Sequence, residues 1–284
     1  MSPPLFDPRI TPARPDLAAE SLRGRVEATR YAVGETLRVV APSAPLRRAP
    51  DGEAPLDTEA LYGEAAVVYE SRGDWRWVQL ARDGYVGYLP AAALGPVNAP
   101  THTIAALRSH AYPGPTIKRP PRLALSFAAR LAVARFEGEF AVTDDGLFLY
   151  GKHVAPIDAR EPDFVAVAER FLETPYLWGG RTSEGIDCSG LAQTALIAAG
   201  IAAPRDSDMQ EAALGRPLPL EDARAHLRRG DLVFWKGHVG IMRDAATLLH
   251  ANGWAMKVTS EPLAEACARI EKSGGGAIAS IRRL

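Results

Sequence analysis

From Gly34 to about Leu94 apolar and polar positions alternate in short runs, at residues 35–41, 65–69, 75–80 and 85–89. Arg72-Gly73-Asp74 and Asp83-Gly84 separate the later runs. A period of two bounded by such turn residues predicts short, half-buried strands. Residues 42–56, rich in Pro and Arg, read as an excursion loop. A weaker copy of this plan follows over 101–156. It has strand-like runs at 103–109, 131–136 and 139–143, a proline-rich loop at 113–121, and Asp145-Gly146-Leu147-Phe148-Leu149-Tyr150 echoing Asp83-Gly84-Tyr85-Val86-Gly87-Tyr88. Two small all-β barrels are expected, at 31–98 and 99–156. A Pro-rich arm precedes them at 1–30, with Leu17, Leu22 and Val26 at helical spacing.

The periodicity changes after Asp158. Residues 163–172 place Phe164, Val167, Ala168, Phe171 and Leu172 on one helical face, and the Pro175–Gly180 stretch ends it. Residues 188–199 read as a buried helix closed by Gly200, a residue suited to the left-handed position after a helix. Beyond a polar loop, 231–235, 239–243 and 248–251 read as consecutive antiparallel strands. Helix followed by sheet makes 157–284 an α+β domain.

Composition narrows the classes. The chain has 284 residues, 47% of them hydrophobic and 24% charged, with a formal net charge of −1. This is a soluble globular balance, and no basic stripe interleaved with aromatics points to nucleic acid. No run reaches the ~18 apolar residues of a membrane span. Two cysteines, Cys188 and Cys267, are too few for a disulfide framework or a cysteine-based zinc cluster. The opening MSPPLFDP has three prolines and no apolar core of a secretory signal, so a cytoplasmic location is expected.

Cys188 stands in Gly185-Ile186-Asp187-Cys188-Ser189-Gly190-Leu191, where the helix should begin. A lone cysteine is more often a small buried hydrophobe. Here the polar turn is expected to expose the sulfur, and the amides of a helix N-terminus favour a thiolate nucleophile. Such a nucleophile needs a base and a group that orients it. His238 begins a predicted strand and His250 lies twelve residues later on the next, so a hairpin can set the two rings side by side. His250 would then accept from His238 and fix its tautomer. His102, His110, His153 and His226 have no evident partner and read as surface residues, while Cys267 fits a buried helix position.

Pro175-Tyr176-Leu177-Trp178-Gly179-Gly180, Asp187-Cys188-Ser189-Gly190, Gly230-Asp231-Leu232, Gly237-His238-Val239-Gly240-Ile241 and His250 together resemble the NlpC/P60 peptidases over about residues 158–284. The upstream units are similar to bacterial SH3-type domains. The resemblance implies a papain-like domain that cleaves the bond between γ-D-glutamate and a diamino acid in murein peptides. It makes Cys188 the nucleophile, His238 the base, His250 the orienting residue and Tyr176 a donor near the oxyanion, flanked by Asp187 and Ser189. The Cys188 amide is the other oxyanion donor. Trp178 is implied as a substrate contact; the alternative for it and Tyr176 is packing beside the helix.

Arg205-Asp206-Ser207 matches a segment that binds the substrate's amino end in the subgroup with two SH3-type domains; the alternative is a helix N-cap. The same subgroup implies an acidic and an aromatic residue from the first barrel, for which Glu64 and Tyr85 are candidates, with Tyr88 as fallback on the opposite side of the strand.

The expected substrate is a free murein stem peptide with an unblocked L-Ala, losing L-Ala-γ-D-Glu in peptide recycling, with no metal or organic cofactor. An exported endopeptidase acting on intact wall, a non-catalytic wall-peptide binder and acyl transfer to an acceptor other than water are the alternatives. No motif distinguishes meso-diaminopimelate from lysine, and none sets an oligomeric state.

Overall fold

The computed structural model describes residues 6–220 and 226–284. The chain divides after Asp158 into two compact units.

In the first unit β1 (Leu17–Ala19) pairs in parallel with β2 (Arg30–Ala32), and a 3-10 turn at Glu20–Leu22 replaces the helix expected there. Leu17 is buried with Trp77 and Tyr88, so its spacing from Leu22 served packing rather than a helical face. Residues 1–5 of the expected arm lie outside the described residues.

A seven-stranded sheet follows, built of β3 (Glu35–Val39), β4 (Ser43–Arg47), β5 (Leu56–Leu61), β6 (Ala65–Arg72), β7 (Trp75–Leu80), β8 (Val86–Pro90) and β9 (Leu94–Gly95). Its order is β5-β4-β8-β7-β6-β3-β9. No bonding joins the end strands β5 and β9 in this order. The expected loop at 42–56 instead contains β4, paired with β5. Ala44 and Leu46 alternate into the core as strand residues do, a pattern obscured by Pro45 and the following arginines.

The weaker copy forms two more sheets. One contains β11 (Arg108–Tyr112), β12 (Leu123–Ser126), β14 (Val133–Glu137), β15 (Phe140–Thr143) and β16 (Phe148–Tyr150); the other contains β10 (His102–Ile104), β13 (Arg130–Leu131) and β17 (Val154–Pro156). After each Asp-Gly turn come a strand, a 3-10 turn and a short strand: β8, Ala91–Ala93 and β9, then β16, Gly151–His153 and β17. Tyr62 belongs to the second of these cores and donates to Asp145 at 2.7 Å. Beside it Gly63 has φ +77°, and a Cβ there would lie 2.1 Å from the Arg130 carbonyl oxygen. Only glycine meets both demands.

In the second unit, α1 (Phe164–Glu169) begins after its N-cap Asp163, which accepts from the Val165 amide at 2.9 Å. It is shorter than expected because Arg170, Phe171 and Leu172 bond to carbonyls three residues back and tighten out of the α-helix. Helix α2 (Cys188–Ala198) has Gly200 at φ +81° beyond its end. Leu191, Ala192, Ala195 and Leu196 are all buried, as are Gln193 and Thr194 between them. Next come α3 (Ser207–Ala213) and a six-stranded sheet. The hairpin β18 (Arg181–Thr182) and β19 (Gly185–Ile186) precedes α2.

The sheet contains β20 (Arg216–Pro217), β21 (Leu232–Trp235), β22 (His238–Met242), β23 (Thr247–Asn252), β24 (Lys257–Pro262) and β25 (Ser280–Arg283), in the order β20-β25-β21-β22-β23-β24. Helix α4 (Leu263–Lys272) buries Leu263 and Ala266 against Val233, Trp235, Met242, Leu248 and Ile281. Helix α4 is the helix expected around Cys267, whereas strands β24 and β25 were not anticipated; the Asn252-Gly253 dipeptide was the available hairpin signal. Cys267 packs on this cluster only partly buried. No described helix is long and apolar enough to cross a membrane.

Candidate active site

Asp187 is the N-cap of α2, and its carboxylate gathers the loop that precedes the helix. One oxygen accepts from the Gly190 amide at 2.7 Å and the other from the Gly179 amide at 2.8 Å. Arg205 binds both oxygens, at 3.0 and 2.8 Å, and also donates to Ser189 Oγ at 2.9 Å. A Cβ on Gly190 would stand 2.4 Å from the Gly180 carbonyl oxygen, so the Gly-Gly loop and the Ser-Gly turn need glycine to pack this closely. Gln210 of α3 ties the other side, donating to the Ser189 carbonyl at 2.9 Å.

Cys188 therefore opens α2 as expected, but the residue is 8% exposed, not open to solvent. Burial pushes the thiol up to about 12, aided by the Asp187 charge. The Val239 and Ser189 amides, both donating toward the sulfur, and Arg205 oppose this without overcoming it. Burial, and after it the charge of the same carboxylate that caps the helix, thus work against the thiolate that the helix start was expected to favour.

The Val239 contact sets the sulfur one residue from His238 on β22. Across the hairpin, His238 Nε2 lies 2.8 Å from His250 Nδ1, with ring centroids 5.0 Å apart. Burial holds His238 down to about 3, and His250 and Arg269 add to the effect. The ring is a neutral imidazole at neutral pH. His250 is 1% exposed, and its Nε2 faces Glu261 Oε1 at 2.7 Å and Asn252 Nδ2 at 2.9 Å. Glu261 Oε1 also accepts from Arg269 of α4. The hydrogen bond from His250 leads in holding the Glu261 carboxyl below its usual range. A neutral thiol beside a neutral imidazole, itself backed by a second ring, can deliver a nucleophile by proton transfer at the moment of attack.

Tyr176 is half-buried, its amide donating to the Met256 carbonyl at 2.9 Å. Burial raises its phenol, and the neighbouring Cys188 and Asp187 raise it further, so it stays a hydrogen-bond donor. Trp178 is 65% exposed, which removes core packing as its role.

The remaining expected residues have different surroundings. Arg205 is 1% exposed, spent on Asp187, Ser189 and the Gly180 carbonyl, so it organises the helix start and is not presented to a substrate. Asp206 holds the N-cap position of α3 without a side-chain capping bond, and Ser207 is the helix's first residue. Glu64 is 3% exposed; it accepts from the Leu61 amide at 2.9 Å and from Arg82 at 2.8 and 2.6 Å. Tyr85 lies in the first core cluster and Tyr88 in another, where its hydroxyl accepts from Arg14 at 2.6 Å. These three candidates have structural duties inside the first unit, and the two tyrosines do face different sides. His102 and His153, expected to lack partners, bond to Thr101 and Ser109 at 2.9 and 3.0 Å.

Asn252, Glu261 and Arg269 were not anticipated. Asn252 stands two residues along β23 on the same face as His250, whereas Glu261 reaches the ring only through the pairing of β23 with β24, and Arg269 reaches Glu261 from α4. Among the described residues, no group of three or more His, Cys, Asp or Glu side chains could hold a metal ion.

Residues 173–270 match the family described as NlpC/P60, and residues 46–94 match the bacterial dipeptidyl-peptidase Sh3 domain. The chain is 30% identical over 222 residues to a γ-D-glutamyl-L-lysine dipeptidyl-peptidase of Bacillus subtilis, covering 69% of this chain and 72% of that one. It is 28% identical over 239 residues to dipeptidyl-peptidase 6 of Lysinibacillus sphaericus, covering 75% and 86%. The fold is similar to that of an NlpC/P60 family protein from Bacillus cereus, with a TM-score of 0.72 at 22% identity over 88% of this chain and 99% of that one.

Proposed function

The chain belongs to the NlpC/P60 family and is a peptidase of that type; from this premise we propose that it cleaves the γ-D-glutamyl–diamino acid bond of free murein peptides and releases L-Ala-γ-D-Glu. The observation that carries the reading is the Cys188 thiol at the start of α2, one residue from His238, with His250 hydrogen-bonded behind that ring. His238 takes the thiol proton as sulfur attacks the γ-carbonyl carbon. The Cys188 amide and Tyr176 stabilise the oxyanion. Protonation of the departing amine by His238 leaves a thioester, which water hydrolyses with His238 again as base.

The preference for a free amino end rests on relatives whose names are dipeptidyl-peptidases. A carboxylate is the chemistry that would read an α-ammonium, and Asp206 is our candidate. Asp187 is already held by Arg205, so it and Ser189 act by shaping the loop that borders the sulfur. An enzyme that removes a dipeptide from a free end suits peptides already released from the wall, and with it a place in recycling and in the cytoplasm.

The test is mass spectrometry of products from L-Ala-γ-D-Glu-diamino-acid tripeptides, with the L-Ala free or N-acetylated, using the wild type and Cys188→Ala. Cleavage of the free form alone, lost in Cys188→Ala, is expected. Hydrolysis that survives Cys188→Ala overturns the nucleophile, and equal cleavage of the acetylated form overturns the amino-end requirement.

A further inference from the structure

His250 Nε2 has two neighbours that make opposite demands. Glu261 Oε1, at 2.7 Å, belongs to a carboxylate that can only accept, so it requires a proton on Nε2. Asn252 Nδ2, at 2.9 Å, is an amide donor and requires a lone pair there. The amide cannot turn around cheaply, because Asn252 Oδ1 accepts from the Ala255 amide at 2.7 Å. One nitrogen of a neutral ring satisfies only one of them.

The choice propagates to the base. With the proton on His250 Nε2, His250 Nδ1 is an acceptor, and His238 Nε2 at 2.8 Å must donate to it. The lone pair of neutral His238 is then on Nδ1, and that nitrogen can take the proton of Cys188. With the opposite choice His250 Nδ1 donates, His238 carries its proton on Nδ1, and no lone pair is left for the thiol.

We infer that Glu261, anchored by Arg269, is a positioning residue that selects the reactive tautomer of the His238–His250 pair against the competing amide of Asn252. The inference rests on the peptidase reading for its consequence in catalysis, but the tautomer itself is readable without any substrate. Glu261 lies diagonally across from His250, since His250 pairs with Thr259 and Glu261 with Leu248. Arg269, one turn and more into α4, binds the same Oε1 and holds the carboxylate under the ring.

The experiment is nitrogen NMR of the full chain labelled at histidine, together with steady-state kinetics on the free tripeptide. The wild type should show His238 protonated on Nε2. Glu261→Ala should move that proton to Nδ1 and lower kcat about 100-fold or more, with KM changed less than about threefold, as expected when a base is held in the wrong tautomer. Glu261→Gln, whose carbonyl oxygen can occupy the Oε1 position, should keep the wild-type tautomer.

The decisive variant is Glu261→Ala/Asn252→Asp. A carboxylate at 252 accepts from His250 Nε2–H as Glu261 did, so the double substitution should restore the Nε2-protonated His238 and most of kcat. A purely structural role for Glu261 would not be rescued by replacing an amide with a carboxylate elsewhere. An unchanged tautomer in Glu261→Ala, or a double variant no better than Glu261→Ala, overturns the inference. The expected tautomer shifts in a protein that hydrolyses no tripeptide would leave the inference standing and overturn the peptidase reading.

Discussion

Arg205 grips both carboxylate oxygens of Asp187, at 3.0 and 2.8 Å, in the residue immediately before the candidate nucleophile. The guanidinium is 1% exposed, so this is a buried ion pair with bidentate geometry. Replacing Arg205 by Ala strands the Asp187 charge. Unfolding in urea should show a loss of about 3–5 kcal/mol. Arg205→Lys, unable to reach both oxygens in one plane, should fall between the two. A loss below about 1 kcal/mol for Arg205→Ala would mean that the pair does not hold the helix start.

Cys188 should behave as a protonated thiol in the free enzyme. Its alkylation by iodoacetamide, followed by mass spectrometry of the Cys188 peptide, is expected to rise with pH through 9 and beyond. At pH 7 its thiolate fraction should be on the order of 1,000-fold below that of an ordinary thiol, given a pKa of about 12. A plateau in the alkylation rate at or below neutrality would show a resting thiolate instead.

His238 links stability to acid. Its ordinary value of 6.5 is held down to about 3 by burial, so the unfolded chain binds this proton first as pH falls. The contribution is intact above pH 6.5 and is lost progressively toward pH 3. Between pH 6.5 and 4 it amounts to about 3 kcal/mol. Carboxylates titrate in the same window, so the measurement is a difference: His238→Gln should flatten the curve of unfolding free energy against pH by about that amount.

Trp178, 65% exposed, supplies little to the core. Trp178→Ala should change the unfolding free energy by less than about 0.5 kcal/mol. If the indole contacts substrate, KM for the tripeptide should rise severalfold while kcat holds. Unchanged kinetics would remove Trp178 from the substrate contacts.

Gly63→Ala tests the joint inside the first unit. The substitution meets both a φ of +77° and an Arg130 carbonyl oxygen 2.1 Å from the new Cβ. Differential scanning calorimetry should show a loss larger than the about 1–2 kcal/mol that left-handed backbone alone costs. A smaller loss would mean that the Arg130 segment yields easily.

Much of the local structure was legible along the chain because it depends on near neighbours. The period-two runs at 75–80 and 85–89, the polar turn and the glycine that bound α2, and the order Cys188, His238, His250 are properties of the chain text itself. Where the text misled, a local pattern had been taken over by distant packing. Leu17 looks helical with Leu22 but packs with Trp77 and Tyr88, and Pro45 disguises a strand whose Ala44 and Leu46 fill the first core.

By itself, then, the sequence determined the kind of chemistry: a cysteine at a helix start, two histidines on adjoining strands, and the family to which those motifs belong. It could not determine the protonation of these groups. The thiol is pushed up by burial and by Asp187, whose carboxylate is held in place by Arg205 from another segment. The tautomer of His238 depends on His250 and Asn252 of one strand and on Glu261, set beside His250 by sheet register. Burial and hydrogen-bond direction are properties of three-dimensional surroundings, and only the tertiary structure assembles those.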